Sequence, residues 1–235
     1  MSSFDTVLGR IRQGLNPGAT PESANPVGAQ TPYTASPALD ADELRARFIT
    51  ALKAVGANAI EASTQAGAIE GIAEILRSAG ARSAVIGEGI TTDSVSAAAR
   101  LAREGCEISR VGRRDGSQGS LRESLASVDV GIVEADCAIA STGTLVMIAD
   151  AARPRSLSLL PPINIVILRA ARILPDLATV LRTVGPQTVA AHPMVMITGP
   201  SRTADIEKRI VIGVHGPRQL YVVIIREGAA SSVTA

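Results

Sequence analysis

Two polar stretches of this 235-residue chain hold the residue types from which a site can be built. The first runs from Glu134 and Asp136 to Ser141, Thr142, Gly143 and Thr144. The second runs from Gly199 through Ser201, Arg202, Thr203 and Asp205 to His215. Glu134 and Asp136 stand two apart at the end of an apolar run, so a strand that persists through both projects them from one face. Paired carboxylates there can divide acid and base roles when their surroundings push their pKa values apart. They can equally be solvated or bond to neighbouring backbone. Ser141 to Thr144 has the make-up of a tight turn, with or without a ligand.

In the second stretch, Gly199-Pro200 ends the apolar run Val195 to Ile197, and the Ser201 and Thr203 hydroxyls can cap a following helix. Ile206, Ile210 and Val214 recur at every fourth position, and Gly216-Pro217 is a stop signal. The spacing predicts a helix from about Thr203, with Asp205 and Glu207 in its first turn, where carboxylates suit the positive end of the dipole. The β-branched run Ile210, Val211, Ile212 would serve a strand instead. Either way, the turn Gly199 to Thr203 is rich in backbone donors and Arg202 adds a guanidinium fork, a set suited to a carboxylate or phosphate. Ordinary capping uses the same residues. His215 is then a proton carrier or a capping histidine.

The expected site is one cleft for a small anionic metabolite. Glu134, Asp136 and His215 are its proton-handling groups; Ser141, Thr142, Gly143, Thr144, Gly199, Ser201, Arg202, Thr203 and Asp205 hold the ligand. Arg153 and Arg155 beside Ser156 are a further carboxylate clamp, or solvated loop charges. Cys137 reads as buried filler, and His192 as a loop residue.

Something must position these groups, and 46% apolar content supplies a large core. Leu44, Phe48, Leu52 and Val55 have helical spacing, as do Ile69, Ile72 and Leu76. Apolar runs at Ala84 to Ile86, Val130 to Val133, Leu145 to Ile148, Ile163 to Leu168, Val195 to Ile197 and Tyr221 to Ile225 read as buried strands. Helical patterns at Val95 to Arg103, Leu121 to Val128 and Leu177 to Val184 lie between several of them. Strands alternating with helices predict an α/β fold with a mostly parallel, helix-covered sheet. That domain spans residues 40–235. Before it, residues 16–39 form a Pro-rich linker and residues 1–15 an amphipathic helical arm, with Phe4, Val7, Leu8, Ile11 and Leu15 on one face. The arm docks on its own domain or on a partner.

Composition also excludes classes. Aromatics are 2% of the chain, and 23 basic against 22 acidic residues leave a formal charge of +1, so neither base stacking nor phosphate neutralisation is provided for and no nucleic-acid partner is expected. Cys106 and Cys137 have no metal-ligand spacing, and two cysteines do not hold an iron-sulfur cluster that takes four. No GxGxxG or GxxxxGK[ST] loop occurs. No apolar run spans a membrane and no signal peptide is evident, so a cytoplasmic setting is expected.

The stretches EADCAIASTGTLVM, RSLSLLPPINIVIL and TGPSRTADIE with GVHGP together resemble the lactate utilization protein C (LutC) group of LUD-domain proteins. In this group an acidic strand end leads to a TGT turn, SLLPP precedes a strand, and GPSxTADIE is followed by GVHGP. The resemblance implies a NagB/RpiA/CoA-transferase-like α/β domain. It also implies a part in oxidising L-lactate to pyruvate beside an iron-sulfur oxidoreductase and a ferredoxin-like iron-sulfur protein, the clusters sitting on those partners and no cofactor on this chain. VEADCAIASTGT is more loosely similar to the strand end of sugar-phosphate isomerases, with Asp136 as the matching carboxylate, though their Lys-Gly-rich run is absent. A stand-alone transferase or isomerase acting on an acyl-CoA, folate or sugar phosphate, and a non-catalytic scaffold, are the alternatives.

Overall fold

The computed structural model describes residues 39–87, 105–111, 118–150, 153–205, 209–212 and 216–226. The arm, the linker up to residue 38, the pattern at Val95 to Arg103 and His215 lie outside the described residues.

Asp40 begins α1 (Ala41–Ala54): its carboxylate accepts the Glu43 N–H at 2.8 Å while Glu43 accepts the Asp40 N–H at 3.0 Å, a reciprocal capping box. Phe48 and Leu52, at the predicted spacing, are fully buried. After β1 (Asn58–Ala62), Thr64 caps α2 (Gln65–Ser78), which buries Ile69, Ile72 and Leu76. The chain continues through β2 (Ser83–Ile86), β3 (Glu107–Arg110), α3 (Gln118–Ser127), β4 (Val130–Glu134), β5 (Cys137–Ile139) and β6 (Thr144–Ile148). Next come α4 (Arg155–Leu159), β7 (Ile163–Arg169), a 3-10 turn, β8 (Ile173–Leu174), α5 (Leu177–Val184) and α6 (Pro186–Ala191). The last elements are β9 (Met194–Ile197), β10 (Arg202–Asp205), β11 (Arg209–Ile212) and β12 (Gln219–Ile225).

Six strands form a parallel sheet in the order β1-β12-β7-β4-β2-β3. Alternate residues serve its two faces. Val85, Val133, Val166, Leu168, Val222 and Ile224 meet Phe48 and Leu52 of α1 on one side. Ile86, Ile132, Ile165, Ile167, Val223 and Ile225 meet the apolar face of α2 on the other. A sheet buried on both faces explains why these strands are nearly continuous apolar runs.

The second sheet, β8-β5-β6-β9, is mixed, with β6 antiparallel to both β5 and β9. Its residues Ala138, Leu145, Met147 and Ile173 share the core with α1. β9 differs from expectation: it is an edge strand of this sheet, half-buried, with Met196 51% exposed.

The helix expected from Thr203 is replaced by a hairpin in which β10 pairs antiparallel with β11, Thr203 opposite Val211 and Asp205 opposite Arg209. Branching at Cβ in Ile210, Val211 and Ile212 favours the strand, and cross-strand pairing outweighs the fourfold spacing.

Asp129 fastens the amino ends of three central strands. Its Oδ2 accepts the backbone N–H groups of Arg82 and Ser83 at 2.9 and 3.1 Å and lies 3.1 Å from Ser83 Oγ, and its carbonyl accepts the Ile163 N–H at 3.2 Å. The Arg82 amide above all, then the Ser83 groups, hold this carboxyl below its usual range against the opposing effect of burial. A depressed carboxyl contributes stability above its unfolded value and loses it as pH falls through the folded one. Asp129→Ala is expected to cost about 2 kcal/mol at pH 7 and much less in acid below that folded value, as read by urea melts at both pH values.

Candidate functional site

At the carboxyl edge of the large sheet, three neighbouring strands end in groups able to meet a ligand, the edge where open α/β sheets bind. Gly87 follows β2, Glu134 ends β4 and Arg169 ends β7. Arg169 Nε stands 3.4 Å from Glu134 Oε1. β4 stops at Glu134, so Asp136 lies beyond the strand and the two carboxylates have separate partners. Asp136 accepts the Ile148 N–H at 2.6 Å and the Arg153 Nη1 at 3.0 Å, joining the start of β5, the end of β6 and the approach to α4. Burial pulls the Arg153 guanidinium down, but the hydrogen bond and charge of Asp136, with the charge of Asp150, outweigh it and hold its pKa above the usual value.

Between these groups lies a cavity lined by Gly87, Glu134, Met147, Arg153, Arg155 and Ser158, among others. Bounded by the described residues it encloses about 20 Å³, room for about one water-sized group. No ion pair of Arg155 occurs among the described residues, and its side chain is exposed.

The two polar stretches do meet. Thr144 Oγ1 lies 2.7 Å from Thr142 Oγ1 and 2.8 Å from Thr198 Oγ1, a hydroxyl chain that joins the TGT turn to the loop before Gly199. What they meet around is the end of α1. A Cβ on Gly143 would lie 2.5 Å from the Leu52 nitrogen, and one on Gly199 would lie 2.7 Å from the Val55 oxygen. The Arg202 Nη2 donates to that same Val55 oxygen at 2.8 Å. These glycines thus seat backbone against backbone, and Arg202 serves a carbonyl at the negative end of a helix.

Gly199 and Ser201 also line a second cavity, of about 220 Å³, with Ser158, Asn164, Thr198 and Gly216. The expected single cleft is therefore distributed over three places: Glu134 on the first cavity with Asp136 bonded to its Arg153, residues 141–144 against α1, and Gly199 and Ser201 on the second cavity. Thr203 and Asp205 lie in β10. Arg169, Asn164 and Thr198 are not among the residues singled out from the sequence. Arg169 gave no signal, because its pairing with Glu134 arises from strand order. Asn164 gave one: it is the polar residue within the apolar run Ile163 to Leu168.

Cys106 and Cys137 are both buried. Burial foremost, then the charge of Asp136, pushes the Cys137 thiol up to about 11 against a small opposing effect of Arg172. It is a protonated core group at neutral pH.

The LUD domain family model matches residues 45–225, most of the chain and all of the large sheet. The chain belongs to the LUD domain family. Lactate utilization protein C of Halalkalibacterium halodurans is 36% identical over 109 residues, 44% of this chain and 47% of that protein. The uncharacterized protein YkgG of Escherichia coli K12 is 32% identical over 171 residues, 71% of this chain and 73% of that one. For most of these relatives, the match spans about half of the relative's length. The fold of this LUD domain is that of a crystal structure of a DUF162 family protein from Deinococcus radiodurans, with a TM-score of 0.60 over 80% of this chain and 99% of the other at 23% identity. No helix among the described residues is long and apolar enough to cross a membrane.

Proposed function

We propose that this LUD-domain chain works in lactate utilisation in the cytoplasm, supporting oxidation of L-lactate to pyruvate, and that a small hydroxy acid docks by its polar end at the carboxyl edge of β4 and β2. The observation that carries this reading is the 36% identity to a protein named lactate utilization protein C. The charged groups on that edge give it chemical support. Arg155 offers a fork for the carboxylate. Glu134, steadied by Arg169, offers an acceptor for the hydroxyl whose proton must leave. Removal of two electrons and two protons from the alcohol carbon and its oxygen gives the ketone. The electrons pass to iron-sulfur proteins on partner chains, an oxidoreductase and a ferredoxin-like protein, and this chain binds and orients. The hydroxyl and amide groups of residues 141–144 and 199–203, with Asp205, take part in holding a ligand or a partner, and His215 handles a proton.

Deletion of the gene is expected to abolish growth on L-lactate, with rescue by the wild type. Arg155→Ala is expected to weaken lactate binding to the purified chain about tenfold, the loss of one charge-assisted contact, read as a smaller thermal shift at fixed lactate. Growth unaffected by deletion, or turnover of an acyl-CoA or sugar phosphate by the purified chain alone, would overturn the reading in favour of a stand-alone transferase or isomerase.

A further inference from the structure

The second cavity differs in chemistry from the first. None of its lining residues among the described ones is ionisable, whereas Glu134, Arg153 and Arg155 line the other. Asn164, with no exposed surface, is one of its lining residues. Its Nδ2 donates to the Ser158 carbonyl at 3.2 Å, while its Oδ1 is a buried acceptor with no partner among the described residues. Alternation along β7 puts Asn164 on the same face as Val166 and Leu168, opposite Leu220 of β12, and Leu220 lines the cavity too. A buried acceptor is normally satisfied, so an unmatched one beside a cavity marks where a donor belongs. The roughly 220 Å³ available is more than ten times the roughly 10–15 Å³ that one water needs.

We propose that this cavity is a binding subsite for an uncharged hydrogen-bond donor, an amide or alcohol group flanked by hydrocarbon. A ligand donor reaches the Asn164 Oδ1 by displacing the packing that leaves it no exposed surface, and the Thr198 and Ser201 hydroxyls offer further polar contacts on the loop side. Leu159 and Met196, 41% and 51% exposed, bring apolar surface to the rim and meet the hydrocarbon flank. A carboxylate is disfavoured, because it would be desolvated among uncharged groups beside a carbonyl oxygen. The subsite is independent of the lactate reading: it lies across α4 from the first cavity, with Ser158 common to both walls.

Saturation-transfer NMR on the full chain, with N-methylacetamide and 1,2-propanediol as probes and acetate as the charged counterpart, tests this. Saturable transfer to the two neutral probes and little to acetate is expected. Asn164→Leu is expected to weaken neutral-probe binding about tenfold, the loss of one hydrogen bond. Met196→Trp, at an exposed rim position that leaves the core intact, is expected to weaken it similarly, and decides the matter if Asn164→Leu does not fold. Arg155→Ala should leave it unchanged. Equal transfer to acetate, binding that survives Met196→Trp, or binding lost with Arg155→Ala would overturn the proposal; none of these outcomes bears on lactate growth.

Discussion

Gly143→Ala is expected to destabilise the fold by about 3 kcal/mol or more and to lower the melting temperature by about 10 °C. Gly143 has φ +66°, a conformation that costs an alanine about 1–2 kcal/mol by itself. The larger part comes from space. A Cβ there would lie 2.5 Å from the Leu52 nitrogen and 2.7 Å from the Ala51 carbonyl carbon, and both are helix backbone that cannot swing aside as a side chain does. Either the TGT turn lifts from α1, breaking its hydroxyl chain to Thr198, or α1 moves and loosens Phe48 and Leu52 in the core. Gly80 is the control: its φ is +62° but nothing lies within 4 Å of its added Cβ. Gly80→Ala should cost about 1 kcal/mol. Equal costs in thermal melts of the two variants would refute the close approach.

The second large effect is at Asp136. Asp136→Ala strips an acceptor from both the Ile148 amide and the Arg153 guanidinium, whose side chain is 27% exposed, so neither is fully rescued by water. Breaking a buried pair costs about 3–5 kcal/mol; partial exposure brings the expected cost to about 2–3 kcal/mol. Asp136→Asn keeps an oxygen for the Ile148 amide and should recover about half of that. Arg153→Ala together with Asp136→Ala should cost less than the sum of the single changes, because the second removes a cation left with only the longer contact to Asp150, at 3.5 Å. Additive costs in denaturant melts would mean that the pair is not coupled. Arg153 also lines the first cavity, so these variants should disturb lactate binding as well as stability.

The strongly periodic elements were legible because burial on defined faces imposes their pattern. α5 spans Leu177–Val184 as read, and the runs beginning at Ala84, Val130, Leu145, Ile163 and Tyr221 are strands. β1 was not legible: in NAIEA only Ile60 is a strand-favouring residue, and it is a strand because β12 offers it a parallel partner. β5 was hidden in the passage from Asp136 to Ala140, and its pairing with β6 follows from the turn at 140–143. The Thr203 segment went to the hairpin because local spacing yielded to a partner strand. For the site, residue types were legible and spatial grouping was not. That the Thr144 and Thr198 hydroxyls touch is a matter of β6 and β9 pairing, and that Glu134 faces Arg169 is a matter of β4 lying beside β7.

The position of β12 also shapes how the chain comes together during synthesis. The last strand of the large sheet sits between β1, which begins at Asn58, and β7. Until the ribosome has released residues up to Ile225, β1 lacks its β12 partner, and the apolar flank of β7 stays open to water or to chaperones. Such long-range closure is slow and leaves a nascent chain prone to clumping. Translation stalled before Gln219 would leave the larger, β7-side part of the sheet without its bridge to β1, which the heptapeptide QLYVVII supplies.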